Sequence, residues 1–518
     1  MPRLIRKSET HPPIIEVFRK NHFIPRKEFT KDFQNFTFLS ESYNLEEVGW
    51  DNHSISKLWR YNLHYFEFLL QDNESKQQQD LQCEIIQSWM DNNQFGVGTG
   101  WEPYPTSLRI INWIKWHWQT GKLSHRAKIS LWNQVRWLES RPEFHLLGNH
   151  LFINAKALLF ATVFFDQNSA SKIYKTGIKI INQELDEQFL ADGAHFELSP
   201  MYHSLAMEDL LDLISISENL PCNFPKAQIL EKFEKGMQWL QTMIYAKDEL
   251  SHFNDCANGI APTFTQLIEF AITLGIDKKN IEVNLFSYHK DSGFLVYRDD
   301  KSHLIADIGN VGPDYLPGHA HADTLSFELA VNGYRVIVNS GTSVYGSSKE
   351  RLRQRGTSAH STIQIDNEDS SEVWSGFRVA RRARPFDIQV KSDFNKTRSF
   401  GFTASHDGYK RLKNYPIHTR SINFINNSWE ISDEISGNKN GIILRYFIHP
   451  DIQIGKNRSN LILSKMGQNI VRFSIVSPAH IEICESTYHD EFGVSKSNKC
   501  LQVKMLSPCI LKTKIELL

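Results

Sequence analysis

The spacing of apolar side chains changes near residue 285 of this 518-residue chain, and that change constrains the fold more than any other feature. Between about residues 50 and 274, apolar residues recur three and four positions apart, as on one face of successive α-helices. From residue 285 to 518, short runs alternate apolar and polar side chains between Gly, Asn or Asp turns, as antiparallel strands do. The chain is also long for a single core. The pattern therefore predicts a multidomain α+β protein.

We predict three segments: an irregular N-terminal stretch over residues 1–45, a helical domain over 46–280 and an antiparallel β-sandwich over 285–518. Consecutive helices with short connections favour an all-helical array in the middle segment, either a solenoid or an α/α toroid. The many short strands with turn residues between them are typical of a sandwich.

Net charge restricts the partners of the chain. The 58 basic and 59 acidic side chains leave a formal charge of −1, which argues against bulk electrostatic binding to nucleic acid or to an acidic membrane. No run of about 18 apolar residues is present, so we expect no transmembrane helix.

The start of the sequence and its cysteines bear on location. Residues 1–7 are basic, but a polar stretch follows where a secretory signal would be apolar, so we expect a cytoplasmic protein, with the periplasm as the alternative. The six cysteines are scattered without metal-type spacing, which indicates free thiols in a reducing compartment.

A β-hairpin is the clearest local prediction in the second half. Leu325–Val331 alternates at period two, Asn332-Gly333 is a strong signal for a tight turn, and Tyr334–Val338 returns. Pairing the strands about that turn places Asn339 opposite Ser326. The residue after the second strand thus returns to the start of the first.

Three histidines lie near the same end of this hairpin. His319 and His321 are two residues apart and precede the first strand, and His360 precedes another short strand-like run. On a strand, residues two apart point to the same side. Solvated loop histidines are one interpretation; with Asn339 nearby, a metal site or an acid–base pair is the other, and neutral imidazole suits zinc.

Two loops in the helical segment carry further candidates. Asn149 and His150 precede a helix, where Asn149 either caps that helix or hydrogen-bonds a substrate carboxyl group. Tyr202 lies in a loop unusually rich in titratable groups, with Glu197 and His203 nearby. Packing against the core is the alternative for the tyrosine.

Arginines and aromatic residues supply candidates for binding a sugar. One basic group precedes His360 and a second, Arg378 to Arg384, follows it; forked guanidinium groups suit carboxylate or sulfate. Aromatic rings from the first helices are candidate stacking walls. The predicted substrate contacts are Tyr61, Trp101, Tyr104, Arg109, Glu197, His203 and Arg355.

In these motifs the chain resembles the heparinase II/III family of polysaccharide lyases. The resemblance is carried by Asn149-His150, Ser199–His203, Gly318–Asp323, Asn339–Thr342 and Ala359–Thr362. It implies an α/α toroid followed by an antiparallel β-sandwich. It also implies β-elimination on a uronic-acid-containing polysaccharide, in which donors offset the carboxylate charge, a base removes the C5 proton and an acid protonates the C4 oxygen.

The resemblance also implies a role for individual residues. Asn149, with His150 close by, would hold the substrate carboxylate, and Tyr202 and His319 would transfer protons. His321, Asn339 and His360 would match the ligands of a structural zinc, although Asn339 stands where the family typically has Asp. No organic cofactor is implied. Similar bacterial proteins without an export signal accompany surface-polysaccharide assembly, so an internal or capsular acidic glycan is an expected substrate.

Two other classes of function fit the same residues. A glycoside hydrolase on a toroid would use two of Asp192, Glu197 and Asp255 as acid and base. A non-catalytic glycan-binding protein of polysaccharide assembly would need none of the proton-transfer residues.

Overall fold

Two compact units make up the chain. The computed structural model describes residues 5–15, 23–71, 75–280, 286–393, 399–437, 441–457, 460–476, 479–505 and 510–518. One unit, called here the helical unit, comprises residues 1–189, 206–234 and 265–280; the other, the sheet unit, comprises 190–205, 235–264 and 281–518. The predicted boundary between 280 and 285 therefore differs from the structure, because 190–205 and 235–264 belong to the sheet unit.

Helices dominate the chain before residue 280. In order, the α-helices are α1 Leu45–Val48, α2 Lys57–Tyr65, α3 Lys76–Asn92, α4 Pro103–Thr120, α5 His125–Glu139, α6 Gly148–Phe164, α7 Gln167–Gln188, α8 Pro200–Ile216, α9 Lys226–Thr242, α10 Phe264–Thr273 and α11 Lys349–Arg355. Local signals set their ends: the Ser124 hydroxyl accepts a hydrogen bond from Ala127 N at 3.1 Å before α5, and Gly121 ends α4 with φ +69°. None of the described helices is long and apolar enough to cross a membrane.

Strands dominate the rest. They are β1 Asn35–Phe38, β2 Glu41–Asn44, β3 Phe286–His289, β4 Phe294–Arg298, β5 Ser302–Asp307, β6 Phe327–Val331, β7 Tyr334–Val338, β8 Ile363–Ile365, β9 Val373–Trp374, β10 Arg378–Val379, β11 Pro385–Asp393, β12 Ser399–His406, β13 Ile417–Ile425, β14 Ser428–Ser436, β15 Ile442–Ile448, β16 Gln453–Asn457, β17 Asn460–Lys465, β18 Gln468–Ile475, β19 Ile481–Tyr488, β20 Lys496–Met505 and β21 Ile510–Leu517. The predicted α+β class is confirmed. The hairpin β1–β2 lies within residues 1–45, which the sequence predicts to be irregular.

Two antiparallel sheets form the sandwich. Within the described ranges one sheet has the order β11-β12-β13-β14-β21-β18-β17-β16, and the other β19-β20-β15-β7-β6-β5-β4-β3, with β8 paired to β15. Their inner faces share one apolar core, in which Leu329 and Val336 of one sheet and Ile422 and Trp429 of the other are buried. The alternation of buried and less buried residues along β13 shows why a period of two predicts such a layer.

The hairpin β6–β7 forms at the predicted turn, but its register differs from the prediction. Asn332 and Gly333 both adopt positive φ, as a tight two-residue turn requires. Val331 pairs with Tyr334, but a bulge then shifts the ladder, so that Leu329 pairs with Ile337. The predicted pairing of Asn339 with Ser326 is therefore wrong by one residue, because an extra residue enters β7.

Residues 190–205 and 235–264 are attached to the sheet unit by contacts with residues that follow them much later in the sequence. The Asp192 carboxylate accepts hydrogen bonds from Ser292 N at 2.7 Å and Ser292 Oγ at 2.9 Å. The Phe294 ring packs on Trp239 and Phe253, with ring centroids 5.8 and 5.2 Å away. These segments bring Tyr202 and Asp255 into the sheet unit, where the histidines lie.

Candidate active site

A buried carboxylate, Asp255, organises the candidate site of the sheet unit. Its Oδ2 lies 2.9 Å from His319 Nδ1 and its Oδ1 lies 2.9 Å from His321 Nε2. The Arg351 guanidinium donates to both carboxylate oxygens. Burial opposes ionisation of Asp255, but Arg351, His319 and His321 outweigh it and hold the pKa of Asp255 well below its usual range. Asp255 is therefore a permanent anion that fixes both rings.

The bond to Asp255 determines which nitrogen of His319 is available. An ionised carboxylate only accepts hydrogen bonds, so Nδ1 of His319 carries a hydrogen and the neutral ring keeps a lone pair on Nε2. The imidazole is partly exposed, and Nε2 lies 4.0 Å from Glu197 Oε2. The backbone is fixed as well, since the His319 carbonyl accepts a hydrogen bond from Asp255 N at 3.0 Å.

The ring of Tyr202 lies against this imidazole. Tyr202 stands in the first turn of α8, where the Ser199 hydroxyl accepts a hydrogen bond from its N–H at 3.3 Å. The ring centroids of Tyr202 and His319 are 4.0 Å apart. The Tyr202 hydroxyl is 2.9 Å from that of Tyr345, and burial followed by the Tyr345 hydroxyl raises the pKa of Tyr202 well above 10. Tyr202 is therefore a protonated phenol at neutral pH.

Tyr345 and Arg351 complete the wall behind these groups. The Arg351 guanidinium, fully buried, lies 4.8 Å from the Tyr345 ring centroid and 5.4 Å from that of Phe377. Because Arg351 neutralises Asp255, this ion pair adds little net charge to a site that combines a proton donor and a proton acceptor. A phenol and an imidazole in ring contact can serve as acid and base on one substrate.

The three predicted zinc ligands meet only in part. The rings of His321 and His360 have centroids 5.3 Å apart; within the described part of the chain, His321 Nδ1 and both His360 nitrogens have no hydrogen-bond partner. Asn339 Oδ1 accepts a hydrogen bond from Ser361 N at 3.4 Å. Burial lowers the pKa of His321 to about 4, despite the opposing effect of Asp255, so its ring is neutral.

Two imidazoles and one amide are not the ligand set of a closed zinc site. Such sites use four ligands, usually Cys, His or carboxylates. Across the described residues no group of three or more His, Cys, Asp or Glu side chains is placed to hold a metal ion. The residues present therefore fit zinc poorly. The zinc stays a prediction, and no step below depends on it.

Three predicted substrate contacts of the sheet unit are buried. His203 bonds His195 N through Nδ1 at 3.0 Å and the Gly236 carbonyl through Nε2 at 2.8 Å, so both nitrogens are occupied. Arg355 donates to the Ala320 carbonyl at 2.9 Å, which holds the loop between the two histidines. These two residues support the site rather than contact a substrate. Glu197 is also buried but lies next to His319.

Four predicted residues lie together in the helical unit. Asn149 and His150 form the first turn of α6 and are partly exposed. The His150 ring lies 4.3 Å from that of Tyr104, centroid to centroid, and its Nδ1 is 3.3 Å from Glu143 Oε1. The Tyr61 hydroxyl donates to Glu102. The carboxylate-binding role of Asn149 and His150 stays a prediction.

Trp101 and Arg109 are packing residues of the helical unit. Arg109 is fully buried, donates to Gln134 Oε1 at 2.9 Å and lies 3.9 Å from the Trp89 ring centroid. Trp101 is also buried against aromatic neighbours. Neither side chain has surface to offer a substrate, which corrects the prediction that both bind one.

The sequence does not indicate the contacts that Asp255, Tyr345 and Arg351 make in the site. Asp255 is a predicted hydrolase carboxylate, and Arg351 belongs to the basic group that precedes His360 and is predicted to bind an anion, but the structure pairs them with each other. Tyr345 carries no local signal, because it lies in the irregular segment between β7 and α11. Asp255 and Arg351 are 96 positions apart in the sequence, and local patterns do not report pairings over such a separation.

Comparison with known proteins places these motifs in one family. The family model described as heparinase II/III N-terminus matches residues 122–274, and that described as heparinase II/III-like, C-terminal, matches 284–508. The chain belongs to the heparinase II/III family. A heparin-sulfate lyase of Bacteroides stercoris is 26% identical over 341 residues, which are 61% of this chain and 47% of that protein. This heparinase II/III family member thus spans about half the length of the curated relatives it matches.

Solved structures confirm the fold of this family member. The crystal structure of heparan sulfate lyase HepC from Pedobacter heparinus has a TM-score of 0.63 and 17% identity, with 94% of this chain and 81% of that chain covered. A crystal structure of heparinase III gives a TM-score of 0.68 at 17% identity, over 89% and 76%. The predicted α/α toroid followed by an antiparallel β-sandwich is confirmed.

Proposed function

We propose that this protein is a polysaccharide lyase that cleaves an acidic, uronate-containing glycan by β-elimination. The contact that carries the proposal is the ring contact between Tyr202 and His319, with Asp255 fixing the imidazole. Family membership supports it, since relatives of the chain are named heparin-sulfate lyases. A uronate glycosaminoglycan is accordingly the substrate class that we propose first, and a capsular uronate polymer second.

The chemistry assigns one step to each ring. The Nε2 lone pair of His319 accepts the C5 proton of the uronate, and the electron pair of that C–H bond forms the C4=C5 double bond. The C4–O4 bond breaks, and the protonated phenol of Tyr202 gives its hydrogen to the departing O4. The raised pKa of Tyr202 favours this direction, because it keeps the phenol protonated until the leaving group develops charge.

The substrate carboxylate must be offset by donors before C5 becomes acidic. Asn149 and His150 are the residues we propose for that role, from the resemblance to the family. Asn149→Ala should therefore raise the barrier to proton removal and lower kcat. The isosteric Asn149→Asp should lower kcat further, because it adds a second negative charge beside the substrate carboxylate.

The contacts of the candidate carboxylates favour elimination over hydrolysis. A hydrolase needs two carboxyl groups facing the glycosidic bond. Asp192 is engaged with Ser292, and Asp255 is fully buried against Arg351. Asp255 is therefore unavailable as an acid or base on a sugar, and Asp192 already serves as the acceptor that holds Ser292.

The test is the ultraviolet absorbance of the unsaturated uronate product, measured on a panel of acidic polymers. We expect absorbance to grow with wild-type enzyme and kcat to fall by about 10²-fold or more in Tyr202→Phe and His319→Ala. Tyr415→Phe and His480→Ala alter exposed residues of the same unit and serve as controls. New reducing ends without that absorbance would show hydrolysis. Glycan binding without turnover on any polymer would show a binding protein.

A further inference from the structure

A two-stranded hairpin lies beside the candidate site and carries an exposed tryptophan. It consists of β9, Val373–Trp374, and β10, Arg378–Val379, with Trp374 opposite Arg378 and Val373 opposite Val379. The Trp374 side chain is 55% exposed and Phe377, in the turn, is 40% exposed. Two large aromatic side chains of this short hairpin are therefore accessible to a ligand.

The hairpin presents two chemically different faces. Val373 and Val379 pack on Val311 and Ala320, and Ala320 is the residue between His319 and His321. Neighbouring residues on a strand point to opposite sides. Trp374 and Arg378 therefore share the outer face, side by side across the two strands.

Arginines of the site hold the turn of this hairpin. Arg351 donates through Nε to the Gly376 carbonyl at 3.1 Å, while its other nitrogens bind Asp255. Arg355 donates to the Ser375 carbonyl at 3.3 Å and to the Ala320 carbonyl. Gly376 is confined as well, since a Cβ added there would lie 2.2 Å from the Gly346 carbonyl oxygen. The hairpin is thus fixed to the groups that position the catalytic rings.

The turn also contacts those rings directly. The Phe377 ring lies 6.0 Å from that of His319 and 5.3 Å from that of Tyr345, centroid to centroid. Arg378, the next residue, begins the strand that pairs with Trp374. The outer face of the hairpin therefore starts one residue beyond a side chain that touches the proposed base.

Arg378 differs from the other arginines of its cluster. Arg381 pairs with Glu372, and Arg382 and Arg384 both pair with Asp314. Within the described part of the chain Arg378 makes no such ion pair, and its side chain is exposed. Its charge is available to an external anion.

We propose that Trp374 and Arg378 form a subsite for an anionic sugar next to the one that reacts at Tyr202 and His319. The indole face packs on the C–H face of the sugar ring, and the guanidinium receives its carboxylate or sulfate in a forked pair. The subsite rests on the proposed function, because it requires an acidic glycan to extend beyond the reacting unit. The subsite would favour substrates that are long enough to reach it and that carry a negative charge there.

The experiment compares Trp374→Ala and Arg378→Ala with two controls of matched exposure and chemistry in the same unit, Tyr415→Ala and Lys456→Ala. On heparan sulfate and other uronate polymers, we expect each subsite variant to raise KM by about tenfold with kcat within about twofold of wild type. Arg378→Ala should also reduce the dependence of KM on salt, since one ionic contact is lost. The controls should leave both parameters unchanged.

The experiment distinguishes a wrong subsite proposal from a wrong lyase proposal. If wild type forms the unsaturated product and both variants keep the wild-type KM, the subsite is refuted and the lyase stands. If no polymer gives that product, calorimetric titration of the same polymers decides: weaker binding by both variants supports the subsite, whereas equal binding, or no binding by wild type, refutes it. Both side chains are exposed, so melting temperatures within about 2 °C of wild type should exclude misfolding.

Discussion

At the scale of single residues, one carboxylate determines the state of two imidazoles. Asp255 has two oxygens, and these accept from His319, His321 and both terminal nitrogens of Arg351. An asparagine at this position has only one acceptor oxygen, so it cannot hold both rings as donors, and it leaves the Arg351 charge buried without compensation.

We expect Asp255→Asn to lower kcat by about 10²-fold or more, because the lone pair of His319 is no longer confined to Nε2. Asp433→Asn is a matched control: Asp433 is equally buried and pairs with Arg420 and His418 in the same unit. Both variants should lose about 3–5 kcal/mol of unfolding free energy. Urea unfolding and steady-state kinetics separate the two effects. Equal losses of kcat in the two variants would contradict a positioning role for Asp255.

The Tyr345 hydroxyl gives a second prediction at this scale. It contributes to the raised pKa of Tyr202, after burial. Tyr345→Phe should therefore lower the pKa of Tyr202 and move the alkaline limb of the kcat/KM profile to lower pH, since the proposed acid then ionises sooner. Tyr415→Phe, at a position 74% exposed, should leave the profile unchanged. A limb that stays in place or moves to higher pH would contradict the arrangement of the two hydroxyls.

At the scale of elements, local patterns predict strands better than the contacts between them. The turn at Asn332-Gly333 and the strand Phe327–Val331 follow from turn chemistry and alternation, and both are present. The bulge in β7 has no such signal, because it depends on packing against neighbouring strands. The assignment of 235–264 to the sheet unit depends in the same way on distant partners.

The candidate site also divides into features that the sequence predicts and features that depend on tertiary packing. Motif residues such as Tyr202 and His319 are recognisable because their chemistry and spacing match a known pattern, and the structure brings them into contact. The burial of Arg109 and His203 is not recognisable, because a charged or polar residue in a helical stretch looks alike whether it faces the core or solvent.

Two glycines with similar backbone angles test how tightly the site loops are packed. Gly341 has φ +77°, and a Cβ there would lie 1.8 Å from the His489 carbonyl oxygen; Gly333 has φ +79° and open space. Gly333→Ala should cost only about 1–2 kcal/mol of unfolding free energy, from the left-handed backbone. Gly341→Ala should cost about 2 kcal/mol more, because two backbone segments must separate. Urea unfolding measures both, and equal losses would show that the loop after Asn339 yields without cost.

At the scale of the whole molecule, buried or half-buried histidines that are neutral at pH 7 occur in both units. Burial is the first cause of each depressed pKa, and these histidines lie in helices, loops and strands alike. The pKa values fall to about 3 or 4 for His64, His117, His203, His289, His303, His321 and His449. The carboxyls of Asp209, half-buried, and Asp323, buried, have pKa values raised to about 6 by desolvation.

These shifts fix the direction in which acid changes stability. A histidine with a pKa near 6.5 in the unfolded chain and near 4 in the folded chain binds more protons when unfolded, so its contribution to folding is complete above 6.5 and is lost as pH falls toward 4. Asp209 and Asp323 act in the opposite sense, since each takes up a proton in the folded state as pH falls from 6 to 4. The histidines outnumber them, so the net effect is loss of stability.

We therefore expect the urea midpoint of unfolding to fall between pH 7 and pH 5, and His303→Gln to make that fall shallower. His303 is buried, with Nε2 3.0 Å from the Thr242 carbonyl, and a glutamine amide can donate to the same oxygen without ever taking up a proton. Removing one such histidine should reduce the slope of unfolding free energy by up to about 1.4 kcal/mol per pH unit between pH 6 and pH 4. His53→Gln, at a side chain 80% exposed, should leave the slope unchanged. Parallel curves for wild type and His303→Gln would mean that His303 titrates alike in the folded and unfolded chain, and burial would not then be the source of the acid sensitivity.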